Sequence, residues 1–430
     1  MRISAGATDA HLSYCTNVHP GVSWHEHFAE LQQHVPEIRR RVVVGDEPFG
    51  LGLRVSAEAL AELESPSVLE NFQDWLAREG LYVFTLNGFP YGVFHGKPVK
   101  SDVYRPDWSE PERLDYTCRL ASLLARLDPP DAFGSISTLP GTFAAWTNST
   151  REQAIVENLL KAVSHCITLE RETGVRIAIA IEPEPCCLLE TVEQTVRFFE
   201  QRLLSMKGIA RLVSYSGLAA RDAREAVHRH LGVCHDACHS AVEFEHPVDA
   251  LARYEEAGID VVKLQLSSAL RVSNVNESAL RRLERFDEPV YLHQVIERCG
   301  DTLVRHEDLR IAIDAMRYRL ERRSTLDTRC QLPHEGNVAM ARDDRLWGST
   351  SEPASEWRIH FHVPVHLRSA GLFQTTQFAL EALLERQQAA PVSRHLEVET
   401  YTWNVLPPDL AEASPADSIA REIDWVRRRL

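Results

Sequence analysis

Four runs of the sequence end in side chains that could hold a divalent cation. The first is Leu231-Gly-Val-Cys-His-Asp-Ala-Cys-His239, where an apolar stretch stops at Asp236 and His239 follows three residues later. A strand that ends at Asp236 and then turns brings a carboxylate oxygen beside an imidazole nitrogen, a pairing zinc and manganese accept. Glu182, Gln265 and Glu399 close similar strand-like runs at 177–182, 261–267 and 396–401. Carboxylates joined by one imidazole or amide suit manganese, cobalt, zinc, iron or magnesium rather than a thiolate site. Each residue also has a plainer reading. Asp236 and Glu182 can cap helices, Gln265 can be a core amide, and Glu399 can pair with Lys263.

The elements that must position these residues follow from a period of two. In 49–56, Leu51, Leu53 and Val55 share one face while Gly50, Gly52, Arg54 and Ser56 share the other. In 81–87 the late positions Thr85 and Asn87 lie together, and in 177–182 the isoleucines oppose Ala178, Ala180 and Glu182. Lys263, Gln265 and Ser267 oppose Val262, Leu264 and Leu266; His360 and His362 oppose Ile359, Phe361 and Val363. Glu397, Glu399 and Tyr401 oppose Leu396 and Val398. An open parallel sheet would be apolar on both faces. One apolar face and one small or polar face fit a closed barrel, whose polar residues gather at the carboxyl ends of its strands. Residues 11–17 and 134–138 supply the first and fourth strands, and helical runs such as 65–79, 151–173 and 375–388 separate the others.

The expected fold is therefore α/β, a single (β/α)8 barrel over 1–406 with a long insertion at about 268–358 after the seventh strand. Within the insertion the reading expects a helix near 278–286, a strand at 289–295 and a basic helix at 308–323. Residues 359–366 then return to the mouth. A tail at 407–430 carries a helix at 418–429 packed on the barrel.

Composition narrows the partners. The 430 residues carry 47 basic and 62 acidic side chains, a net charge of −15, which disfavours nucleic acid held through phosphates. Nine cysteines in a long chain without an apolar leader read as cytoplasmic thiols, and no run reaches the length of a membrane span. Cys186-Cys187 lacks redox spacing, Cys234 and Cys238 are too few for a thiolate site, and the basic run 317–323 reads as a solvated helix face. The loop from Asn87 to Trp108 strings Tyr91, His95, Lys97, Lys100, Tyr104 and Arg105 over the mouth. With Asn17, Arg54, Lys263 and His360 it suits an anionic, hydroxyl-rich ligand, or it merely covers the mouth.

Gly232-Val-Cys-His-Asp-Ala-Cys-His239 resembles the sixth strand of the xylose-isomerase-like barrels, which include sugar isomerases, epimerases and metal-dependent abasic-site endonucleases. In that pattern the fifth strand ends in Glu, the sixth in D-x-x-H, the seventh in His and the eighth in Glu. Glu182, Asp236 with His239, and Glu399 match. Gln265 stands where His is usual, and His362 is the candidate replacement. Longer motifs cover nearly the whole chain: Tyr14-Cys-Thr-Asn-Val-His-Pro-Gly21, Asn87-Gly-Phe-Pro-Tyr-Gly92, Val103-Tyr-Arg-Pro-Asp-Trp108, His360-Phe-His-Val-Pro-Val365 and Glu399-Thr-Tyr-Thr-Trp-Asn404. These are similar to the EboE family of metabolite-traffic proteins, encoded in a bacterial cluster for a secondary metabolite.

The resemblance implies an isomerase or epimerase acting on a sugar or cyclitol phosphate. Glu182 and Glu399 would exchange a carbon-bound proton, and His239 would orient substrate or complete the metal shell. Partners would be the anionic small molecule and other proteins of the same cluster, with an oligomer left open. A non-catalytic carrier that holds a metabolite at the barrel mouth is the competing reading. A metal-dependent phosphoesterase ranks third.

Overall fold

The period-two runs lie side by side as strands. The computed structural model describes residues 1–6, 8–89, 100–330, 355–407 and 414–430. It opens on an antiparallel hairpin of β1 (Arg2–Ala5) and β2 (Thr8–Tyr14). Then follow β3 (Phe49–Arg54), β4 (Leu81–Asn87), β5 (Phe133–Thr138), β6 (Arg176–Ile181), β7 (Leu231–Asp236) and β8 (Val261–Leu266). Six short strands come next: β9 (Leu270–Val272), β10 (Val295–Cys299), β11 (Thr302–His306), β12 (Glu356–Ile359), β13 (Ser369–Ala370) and β14 (Phe373–Thr375). β15 (His395–Val398) completes the set.

The main sheet runs β1-β2-β15-β8-β7-β6-β5-β4-β3, and every pair beyond the hairpin is parallel. β2 and β3 draw its ends together. A bridge joins Cys15 to Gly52, Ser13 Oγ donates to Gly50 O at 2.7 Å, and the Gly52 amide donates to Ser13 Oγ at 3.2 Å. Eight parallel strands with helices between them make the (β/α)8 barrel that the alternation implies. Helix Ser149–Thr173 shows how the outer layer forms. Asn148 caps it by accepting from Arg151 N, Ile155, Leu159, Val163 and Cys166 bury one stripe, and Gly174 at φ 75° ends it.

The lumen is filled by small and polar side chains around one ion pair. Lys263 is salt-bridged to Glu397, and both side chains are fully buried. Lys263 Nζ also donates to Asn87 Oδ1 at 2.9 Å and Ser137 Oγ at 3.3 Å, while Asn87 Nδ2 donates to Glu397 Oε1 at 2.9 Å. Glu397 lies so close to β3 that a Cβ on Gly52 would sit 1.4 Å from its Oε1. A side chain there would displace the carboxylate.

The six short strands form a second, wholly antiparallel sheet in the order β11-β10-β12-β9-β14-β13. It has its own core, in which Leu270, Val295, Leu309, Ile313, Trp357, Ile359, Phe361 and Phe373 are buried together. The strand expected at 289–295 forms instead over Val295–Cys299. Glu288 explains the shift, because its carboxylate accepts from the amides of Val290 and Tyr291 and turns the chain there. The alternation at 359–363 survives although β12 stops at Ile359. Ile359, Phe361 and Val363 enter the second core, leaving His360 and His362 to face the barrel mouth.

The C-terminal helix, Pro415–Arg427, packs against helix Trp24–Val42. Arg41 pairs with Asp417 at 2.8 Å, and Arg427 donates to Val42 O at 2.8 Å. Its buried Glu422 accepts from Val365 N at 2.9 Å and Thr400 Oγ1 at 2.6 Å, bracing the segments that carry His362 and Glu399. Among the described residues no helix is long and apolar enough to cross a membrane.

Candidate metal centre

β7 ends at Asp236, and a short helix, Ala237–Val242, starts at once. The plainer reading of Asp236 is thus correct for one oxygen. Oδ1 accepts from the His239 amide and from Ser267 Oγ, both at 2.8 Å, while Oδ2 is buried and has no partner among the described residues. Glu182 follows β6, its amide tied to Thr138 O at 2.9 Å, and its Oε2 is likewise buried and unpartnered. Glu399 follows β15, and its amide donates to Leu266 O at 3.0 Å. Asn17 Nδ2 donates to its Oε1 at 2.8 Å, and the Gln265 side-chain amide also hydrogen-bonds to it. With the Gln265 amide nitrogen so committed, its Oε1 is left buried without a partner.

Three histidines point ring nitrogens at these oxygens. His239 Nδ1 lies 3.0 Å from Pro183 O, and His362 Nδ1 lies 2.9 Å from Glu399 O. A carbonyl only accepts, so both Nδ1 atoms carry the proton and both Nε2 atoms are lone pairs. His360 Nδ1 lies 2.7 Å from Gln294 Oε1. Gln294 Nε2 donates to Tyr104 Oη at 2.8 Å and to Pro185 O at 3.1 Å, which fixes the amide and makes His360 Nδ1 the donor as well. His239 and His360 therefore face each other, Nε2 to Nε2, at 3.1 Å with no proton between them. Two lone pairs at that distance repel, whereas two nitrogens on one ion, each at about 2.1 Å, sit about 3.0–3.4 Å apart. His362 Nε2 is buried with no partner.

The ligand atoms fall into overlapping groups within 4.8 Å: Glu182, Asp236 and Glu399; Asp236, His239 and His362; Glu184, His239 and His360. Electrostatics mark the same floor. Burial, then Glu399 and Asp236, push the Glu182 carboxyl well above its ordinary range. Burial, followed by Asp236, pushes Glu399 up to about 8. Burial also raises Asp236 and Glu184. Burial holds His362 down to about 4, and lowers His239 and His360. Neutral imidazoles are ready to ligate, and the carboxyls lack the positive charge that would ionise them together.

Above the floor a pocket opens toward solvent. Arg54, Phe89, Lys100, Val103, Tyr104, Tyr291, Leu292 and Tyr401 line its walls. Of the residues singled out in the sequence, Glu182, Asp236, His239, Gln265, His360, His362 and Glu399 meet at the floor, with Asn17 and Asn87 beside them. Lys263 lies below, committed to Glu397. Lys100 lines the pocket while its Nζ bonds Asp308 at 2.7 Å. Arg105 is about half exposed, stacked 4.2 Å from the Trp146 ring, and does not line the pocket. Tyr91, His95 and Lys97 lie outside the described residues. Sequence reasoning missed Glu184 and Gln294. Glu184 carried a weak signal, standing two residues past Glu182 on the same strand exit.

No protein-family model matches the chain, and no curated protein sequence matches it. Solved structures do resemble it. A xylose isomerase-like TIM barrel protein from Mycobacterium smegmatis, in complex with magnesium, is 12% identical with a TM-score of 0.40, over 73% of this chain and 96% of that one. A D-tagatose 3-epimerase-like protein is 12% identical with a TM-score of 0.37, over 65% and 88%. An L-ribulose 3-epimerase is 10% identical with a TM-score of 0.35, over 66% and 79%.

Proposed function

We propose that the chain is a divalent-cation-dependent enzyme that moves a carbon-bound proton on a sugar or cyclitol phosphate, as an isomerase or epimerase. The observation that carries this reading is a set of buried acceptors without a hydrogen-bond partner among the described residues: Glu182 Oε2, Asp236 Oδ2 and His362 Nε2 on one floor, with Gln265 Oε1 on the side chain that bonds Glu399. Native proteins seldom bury such atoms without a use for them. Glu182, Asp236, Gln265 and Glu399, with His362, would hold a cation of the manganese, cobalt, zinc, iron or magnesium kind. Glu184, His239 and His360 offer a second group of donors. A bound cation would supply Lewis acidity toward substrate oxygens.

The chain's own residues do the rest. Asn17 and Gln265 hold Glu399 in one orientation, while Glu182 keeps an oxygen without a hydrogen bond. Glu182 takes the proton and Glu399 returns it from the other side. Phe89, Val103 and Leu292 give the pocket apolar walls beside the reacting groups. Arg54, with Lys100, favours a phosphate at the rim. The similarity of the long motifs to the EboE family supports a role in a bacterial secondary-metabolite pathway, beside other proteins of that cluster. A soluble, cytoplasmic setting fits the composition.

The second donor group also favours phosphoester hydrolysis, which gains from two cations clamping one phosphate. One experiment separates the readings. Sugar and cyclitol phosphates are incubated with cation-loaded protein in D2O and followed by NMR. Deuterium entering a carbon position, lost in Glu182→Gln, supports the isomerase. Phosphate release without exchange supports hydrolysis. Binding with neither supports a carrier.

A further inference from the structure

His360 is the mouth ligand held least by the barrel and most by the second sheet. Its amide donates to Gln294 O at 2.8 Å. Its carbonyl accepts from His293 Nδ1 at 3.0 Å, and His293 is anchored in turn through Nε2 to Glu288 at 2.9 Å. Its own Nδ1 donates to Gln294 Oε1 at 2.7 Å. Two adjacent residues thus fix the backbone on both sides of His360 and the tautomer of its ring. Gln294 is fully buried just before β10, and the other end of its amide reaches across to the barrel. There it meets Tyr104 Oη at 2.8 Å, Pro185 O at 3.1 Å and Glu184 Oε1 at 3.3 Å. Tyr104 itself donates to Glu184 Oε1 at 2.5 Å.

We propose that Gln294 is a positioning residue: through its Oε1 it fixes the tautomer of His360 and aims its Nε2 beside that of His239, so that the two imidazoles serve together as cation donors. The proposal rests on the reading of the mouth as a metal centre. Its physical basis is the asymmetry of the amide. Oε1 is an acceptor only, so His360 must carry its proton on Nδ1 and present Nε2 as a lone pair. Without that acceptor, the proton on Nε2 relieves the contact with His239, and the donor group is lost. Partners of this kind are worth about 10–100-fold in metal affinity.

The test is a cobalt(II) titration of the full-length protein, followed by visible absorption, in wild type, Gln294→Leu, Gln294→Glu and His360→Ala. Gln294→Leu removes both ends of the amide, whereas Gln294→Glu keeps the acceptor for His360 and loses the donors. The expected result is a spectrum in Gln294→Leu that matches His360→Ala, with affinity at this group lower by about 10-fold or more. Gln294→Glu keeps the wild-type band positions. Circular dichroism and thermal midpoints confirm that each variant folds. Wild-type spectra in both Gln294 variants would overturn the proposal while leaving the metal centre standing. Equal losses in both would also overturn it, because a merely structural amide cannot tell the two apart. Failure of wild type to bind cobalt at all would overturn the metal reading and this inference with it.

Discussion

Two layers of buried charge sit one above the other in the barrel, and they are built on opposite terms. In the lower layer Lys263 meets Glu397, and Asn87 and Ser137 take up further bonds. Burial works against the Lys263 ammonium more than any single neighbour favours it, but Glu397, with smaller contributions from Cys234, Cys15 and Glu182, holds the pKa above its ordinary value. In the upper layer Glu182, Asp236 and Glu399 crowd together, three imidazoles offer lone pairs, and several acceptors find nothing. Charge needed for folding is paired by the fold. Acceptors without a partner among the described residues at comparable depth are the ones the proposed cation would satisfy.

The contrast breaks first at Lys263. Lys263→Met leaves Glu397 buried and uncompensated, and chemical denaturation should show about 3–5 kcal/mol lost. Lys263→Met with Glu397→Leu should recover much of that. In the upper layer the same kind of change works the other way. Glu182→Gln removes one of three mutually repelling carboxyls, so the cation-free protein should be as stable as wild type or more so. Turnover, once a substrate is in hand, should fall by about 100-fold or more.

A pH series sharpens the comparison further. The Glu399 carboxyl titrates near 8 in the fold and near the ordinary 4.5 when unfolded, and Glu182 is raised in the same sense. Between these values the folded state holds protons that the unfolded state has released, so stability falls as pH rises. Histidines work from the other side. His362, held down to about 4, costs stability as pH falls below 6.5. The cation-free protein should therefore melt highest near pH 6 and lose thermal midpoint toward pH 8. A saturating divalent cation should flatten the alkaline slope. Least affected of all should be Arg105→Ala, at an exposed residue outside the pocket, with a change within about 0.5 kcal/mol.

The legible and illegible parts of the site divide by what positions them. Glu182, Asp236 and Glu399 stand at strand ends, where alternation alone fixes the face and strand length fixes the depth. His360 and His362 were legible for the same reason, even though they follow a strand of the second sheet rather than of the barrel. Lys263 was placed on the correct face but with the wrong neighbour. Glu397 lies beside it on the neighbouring strand only because β8 and β15 pair, with Glu397 opposite Gln265, a register the sequence does not print. Gln294 was out of reach. It lies past the turn made by Glu288 and just before β10, in a sheet whose docking on the barrel depends on a separate core. Local pattern carries the barrel, and long-range packing carries the second sheet's contribution to the mouth.

The central claim is that the upper layer is built around a divalent cation, and elemental analysis tests it most directly. Purified protein and an Asp236→Ala variant are measured side by side, as isolated and after incubation with manganese, cobalt, zinc, iron and magnesium followed by gel filtration. Asp236→Asn serves as a control that keeps an oxygen to cap the helix at 237–242. The account predicts at least one tightly held divalent ion per wild-type chain and its loss in Asp236→Ala. A wild-type chain that retains none of the five ions would contradict it.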